Sequence, residues 1–231
     1  MKKFVLDTKA ALGVAPKTVD WDFDEKSNNV RVIHQTLSNY VSALEQMKTA
    51  SQNLFTAMDN MSKALGTMTA EHGVPEAMRF LAVEYTEVVR KGTFEHLVDF
   101  KKAIDDAECI AEMMNLTAKC KSLAAKRKKV MSEYDAYRDA VCKKEVQYRK
   151  KGKDLSISKY YDEEVARRDN LKADFEKADS DFKSMYDVLE EKRLSSYMSA
   201  ISVFLGCTLQ LISSIEKELR VVKRKADMVV V

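Results

Sequence analysis

Apolar residues recur through much of this chain at alternating steps of three and four. In the first patterned stretch they fall at Val30, Ile33, Leu37, Tyr40, Leu44, Met47, Leu54, Met58, Met61, Leu65 and Met68, interrupted only at Ser51. That spacing keeps one helix face against a partner, so it predicts a long helix with a heptad stripe. Gly66, Gly73 and Pro75 punctuate its end. A second helix is expected from about Pro75, a favourable first helical residue, to the region of Lys150. It turns Met78, Leu81, Tyr85, Val88, Phe100, Ile104, Met113 and Leu123 inward, and Gly92 offers a place to bend. Gly152 opens the next break, in KGKDLSISKY. The third helix is expected from near Lys159, carrying Val165, Leu171, Phe175, Phe182, Leu189, Tyr197, Ile201, Phe204, Thr208, Leu211, Ile215 and Leu219. Its stripe changes phase between Glu191 and Leu194, which predicts a second bend or a stutter.

These lengths predict an all-α chain of three long kinked helices in an elongated antiparallel coiled coil. Some 75 residues of helix two alone would span roughly 110 Å, far beyond a compact globule. Helix one is shorter than its neighbours, so a single chain leaves apolar surface uncovered, and a twofold homodimer is the natural way to bury it. Met47, Met58, Met61 and Met68 read as adaptable gap-fillers on the first stripe. With 45% hydrophobic and 32% charged residues but only 6 Gly and 2 Pro among 231, the composition fits a mostly helical protein.

Charge adds a location. Residues 126–153 hold eleven Lys and Arg against Glu133, Asp135, Asp139 and Glu145, so the segment carries +7 while the whole chain carries +3. An anionic partner is implied. The bland alternative is a solvated helix face with intrahelical ion pairs such as Asp139 with Lys143.

Three stretches then resemble one family. The opening MKKFVLDTKAALGVAPKTVDWDFDE, with Leu12, Gly13, Thr18, Asp20 and Phe23, is similar to the start of an N-BAR domain of the amphiphysin and endophilin type. KRKKVMSEYDAYRDAV, with Arg127, Lys128, Lys129, Tyr134, Asp135 and Arg138, resembles that family's basic-then-Tyr-Asp pattern in helix two. The stretch from Lys172 to Leu219 is similar in layout to its helix three, although many relatives carry a proline near Arg193 or Leu194 and this chain has none. The resemblance implies a crescent-shaped homodimer, or a heterodimer with another BAR protein, that senses or generates curvature on anionic phospholipid membranes in endocytosis, tubulation or trafficking. Its BAR domain would cover 26–226, after a lead-in over 1–25 and before a tail over 227–231; as a full protein this would be a BAR-only type.

The candidate lipid-binding residues are Arg127, Lys128, Lys129 and Arg138 along helix two, then Lys143, Lys144, Arg149, Lys150, Lys151 and Lys153 toward the tip. Lys159, Arg167 and Arg168 would add to them from helix three. In the N-terminal segment Met1, Phe4, Val5, Ala11 and Leu12 share a helical face opposite Lys2, Lys3 and Lys9. Phe4, Val5 and Leu12 are therefore candidates for shallow insertion between lipids on folding at the membrane. Trp21 and Phe23 are expected to pack over the helical core or a dimer interface.

Other classes fit less well. Nucleic acid attracts lysines too, but no recognised nucleic-acid motif accompanies them. A cytoskeletal or scaffold coiled coil that binds no lipid is the main alternative. His34, His72 and His96 share no metal-ligand spacing, and no P-loop, GxGxxG or GxSxG is present, so neither an enzyme nor a cofactor is expected. Cys109, Cys120, Cys142 and Cys207 read as reduced thiols. No apolar run is expected to approach the roughly 20 residues that cross a bilayer, and no signal peptide opens the chain, so the protein is expected to be cytoplasmic and peripheral on membranes.

Overall fold

The computed structural model describes residues 18–105 and 108–229, and among them every regular element is helical. Helix α1 is Trp21–Thr69, α2 Glu76–Glu87, α3 Phe94–Asp105, α4 Glu108–Lys150 and α5 Tyr161–Val229. The expected second helix is thus present as α2, a π-helical segment over Val88–Thr93, α3 and α4. The π segment contains Gly92, the residue whose lack of a side chain suggested an irregularity there. Pro75 is the N-cap of α2, one place before its expected position, and its carbonyl accepts from Met78 N and Arg79 N. Helix α5 runs without a break through Arg193 and Leu194.

The chain divides into two compact units, one formed by residues up to Gln35 with Met113–Arg193, the other by Thr36–Glu112 with the residues from Leu194 onward. In the first unit, Phe23, Val30 and Ile33 of α1 are buried together with Met113, Cys120, Ala124 and Val141 of α4 and Leu171, Phe182 and Leu189 of α5. Phe23 meets Phe182 edge to face at a centroid separation of 5.0 Å. Such a contact adds to burial because the positive ring edge meets a negative ring face. Burial pushes the Cys120 thiol up to about 11, so this cysteine is a small core residue with little thiolate character.

The second unit is centred on Phe100, Ile104 and Leu211, with Leu44, Met47, Cys207 and Ile215 packed around them. Here the first stripe departs from expectation. Ser51, Ser62 and Thr69 are buried, whereas Leu54, Met61 and Met68 are each more than half exposed. The small hydroxyls bury at little cost because each donates to its own helix, Ser51 to the Met47 carbonyl at 2.8 Å and Thr69 to the Leu65 carbonyl at 2.9 Å. Met61 and Met68 therefore fill no gap within the chain, and Met78, expected inward, is also exposed.

The phase change in α5 has a related outcome. Ser196, Ala200 and Leu211 face inward, while Leu194, Met198, Ile201, Leu205, Leu209 and Ile212 form an exposed stripe at steps of three and four. Ile201, expected inward, belongs to that exposed stripe. Leu54 joins Ile212, Ile215 and Leu219 in lining an open groove of about 560 Å³. From Leu194 to Ile215 no residue is charged. Helix α5 holds an 18-residue window apolar enough to cross a membrane by length and composition, and only 11% of it is buried. The expectation that no run approaches that length is corrected here, since interspersed Ser, Thr and Gln interrupt the apolar residues without adding charge.

Candidate functional site

The basic segment lies in the first unit, and the lead-in to α1 is fastened beside it. Thr18 donates both its backbone N–H and its hydroxyl to the buried Asp135 carboxylate, each at 2.7 Å. Arg138 donates to Thr18 Oγ1 at 3.0 Å and pairs with Asp135 at 2.9 Å. Asp20 accepts from Phe23 N at 3.1 Å, which caps the first turn of α1, and also pairs with Arg127. Alternate lead-in residues are thus held inward, while Val19 and Trp21 face outward, Trp21 being 80% exposed. Of the two aromatics expected to pack, only Phe23 does so within the chain.

Arg127 is fully buried. Its guanidinium lies 3.8 Å from the Phe23 ring centroid and 4.9 Å from that of Phe175, and it donates to Asp20 and, through Nε at 2.5 Å, to Asp179. A planar cation between two rings and two carboxylates is held by stacking as well as charge. Burial works against ionisation of Asp179, but hydrogen bonds and charge from Lys183 and Arg127 outweigh it and hold the carboxyl below its ordinary value. This placement corrects the assignment of Arg127 to a lipid-facing surface. Cys120, Ala124 and Arg127 are spaced four and three apart on the inward stripe of α4, and that register was the signal in the sequence.

The remaining candidates divide by partner. Lys143 pairs with Asp139 at 2.5 Å, the intrahelical pair expected from the sequence. Lys144 pairs with Glu164 and both are largely buried. Arg167 lies 3.8 Å from Glu133, and Arg168 lies 2.8 Å from Asp169. By contrast Lys128, Lys129, Arg149, Lys150, Lys151, Lys153 and Lys159 are exposed and have no acidic partner among the described residues. Lys128 approaches the Phe23 ring at 5.4 Å. Lys126, exposed and likewise without an acidic partner, belongs with them although the candidate set omitted it. Phe4, Val5 and Leu12 lie outside the described residues.

The tip itself is built by local chemistry. Gly152 at φ +60° ends α4, with Gly152 N donating to the Arg149 carbonyl and Lys153 N to the Tyr148 carbonyl, both at 3.1 Å. This paired closure needs a left-handed residue, which glycine adopts without a β-carbon clash. Asp154 then accepts from Ser156 N at 2.9 Å and starts a 3₁₀ turn over Leu155–Ile157. That backbone hydrogen bond holds the Asp154 carboxyl below its ordinary value. Tyr161 OH donates to Glu145 at 2.7 Å and ties the two helices below the turn.

No protein-family model and no curated protein matches this chain. Its functional reading therefore rests on this arrangement of charge and on the resemblance in the sequence.

Proposed function

We propose that this chain is a BAR-type protein that binds anionic phospholipid membranes peripherally, at their cytoplasmic face, as a homodimer or as a heterodimer with another BAR protein. The observation that carries the reading is a set of exposed cations without acidic partners: Lys128 and Lys129 on α4, then Arg149, Lys150, Lys151, Lys153 and Lys159 around the following turn. Each lysine or arginine brought near an anionic leaflet strengthens binding, and the gain is screened by salt. Lys143 and Arg167 are exposed in their ion pairs, so a lipid phosphate competes readily for them. Buried Lys144 and Arg127 are not open to it.

The exposed stripes on α1 and α5 support the second copy. Leu54, Met61 and Met68, with the residues from Leu194 to Ile212, offer an apolar face larger than scattered surface residues account for. A coiled-coil dimer buries this face, and a crescent assembly meets more lipid charge on a matching curve, which links binding to curvature. The same stripes favour a second reading, a scaffold coiled coil that recruits other helices and binds no lipid.

Co-sedimentation with vesicles of phosphatidylcholine and phosphatidylserine, followed by electron microscopy, separates the two. Reversing Lys128, Lys129, Lys150 and Lys151 to Glu should weaken binding by at least on the order of a thousandfold and abolish tubules, since each of the four removed cations costs about 1 kcal/mol, roughly a factor of five, near anionic lipid. Unchanged binding and tubulation in that variant would overturn the proposal, and filament co-sedimentation without vesicle binding would favour the scaffold.

A further inference from the structure

The turn after α4 presents an apolar side chain amid cations. Ile157 is 66% exposed at the end of the 3₁₀ turn. Arg149, Lys150, Lys151, Lys153 and Lys159, all exposed, lie in the same short stretch, where the only acid from 149 to 160 is Asp154. The Asp154 carboxylate is already engaged by Ser156 N at 2.9 Å. The turn has a fixed shape: Ser158 N donates to the Leu155 carbonyl at 2.9 Å, and Lys153 N to the Tyr148 carbonyl at 3.1 Å. Its stems are joined by Tyr161 with Glu145 and by Lys144 with Glu164. An exposed isoleucine held on such a turn gains nothing from water. Five cations around it suit a partner that is anionic outside and apolar just beneath.

We infer that the hairpin tip is a membrane-penetrating anchor, in which Ile157 enters the acyl boundary of an anionic leaflet while the surrounding lysines and Arg149 engage headgroup phosphates. This inference rests on the membrane reading and adds a short-range apolar contribution to a long-range electrostatic one. Salt screens the second far more than the first. The tip then holds a bound chain at ionic strengths that release a purely electrostatic contact, and Tyr160, itself 41% exposed with Lys159 Nζ 5.7 Å from its ring centroid, sits at headgroup depth.

The test exploits the chain's one tryptophan, Trp21. In a Trp21→Phe, Ile157→Trp protein the only indole is at the tip, and its emission is followed with vesicles of phosphatidylcholine and phosphatidylserine brominated in the acyl chains, with co-sedimentation run in parallel. Quenching and a shift to shorter wavelength on binding are expected. A second variant, Ile157→Ser in the otherwise unaltered chain, should bind about tenfold more weakly and lose its salt-resistant fraction, as suits removal of one buried apolar side chain. Vesicle binding with no quenching at position 157, and unchanged affinity in Ile157→Ser, would overturn the anchor and leave the membrane reading standing. Absence of vesicle binding by the unaltered chain would overturn both.

Discussion

Glu218 occupies the space that a β-carbon on Gly92 would need. Its Oε2 lies where that atom would go, and its Oε1 is 3.0 Å from His96 Nε2. The π-helical segment over Val88–Thr93 brings a glycine backbone against a carboxylate, and the carboxylate is held there by a histidine one turn along the chain. Gly92 thus leaves room for the carboxylate, which is the far end of a flexible side chain.

Gly92→Ala should therefore change stability by less than about 1 kcal/mol, because the flexible Glu218 carboxylate can swing aside and the intrinsic helix gain of alanine offsets the lost His96 contact. Gly to Ala in an unobstructed helix interior stabilises by about 1 kcal/mol, so the shortfall from that gain reads the cost of moving Glu218. Urea unfolding of Gly92→Ala, Glu218→Ala and the double variant measures it. In the Glu218→Ala background, with no carboxylate to displace, Gly92→Ala should stabilise by about 1 kcal/mol, and additive effects would show that Glu218 is not the obstacle.

Arg127 should govern stability and Lys128 should not. Removing Arg127 as Arg127→Met leaves Asp20 and Asp179 facing each other's charge. The expected loss is roughly 2–3 kcal/mol, below the usual figure for breaking a buried pair because both carboxylates keep some solvent. Lys128→Met should change the unfolding midpoint little while weakening vesicle binding. Equal midpoints for the two variants would contradict the placement of Arg127.

Asp179 adds a pH dependence of known sign. Its carboxyl is held below its ordinary value, so its stabilisation is fully present above about pH 4 and is lost as the pH falls through the lowered native value. Asp179→Asn should be less stable than the unaltered chain at neutral pH, with the difference shrinking in acid. Thermal unfolding across that range reads it directly.

The exposed stripe of α5 predicts an oligomer that charge can dissolve. Ile201→Lys with Leu209→Lys places two cations on that face without touching Ala200 or Leu211 behind it. Sedimentation equilibrium should show the unaltered chain above monomer mass and the variant at it, with helical content in the far ultraviolet retained. A monomeric unaltered chain would leave the stripe to another partner.

Thiol reactivity should follow burial. Cys120, with its thiol pushed up to about 11, should resist a maleimide until the chain unfolds, whereas exposed Cys142 should react quickly. Cys142→Ser should remove part of the fast phase and Cys120→Ala should leave that phase intact.

Much of the fold was legible because helix periodicity is a local property. Val30, Ile33 and Leu37 repeat on one face and are buried, and Gly152 marks the end of α4 because a left-handed residue was needed there. The candidate site was legible as a list of charges but not as a surface. Eleven cations in one segment count equally in a sequence, yet Arg127 stacks between aromatic rings and Lys144 faces Glu164, while Lys150 and Lys151 are exposed without acidic partners.

What the sequence by itself determined was helix, the spacing of apolar residues along each helix, and where positive charge concentrates, since all three follow from neighbours a few residues apart. Only the tertiary structure decided which of two apolar faces is covered. Ser51, Ser62 and Thr69 turn inward while Leu54, Met61 and Met68 stay exposed. The physical reason is that close helix contact favours small side chains whose hydroxyls their own backbone satisfies, and no periodicity in the chain distinguishes a face that meets its own helices from one that stays exposed.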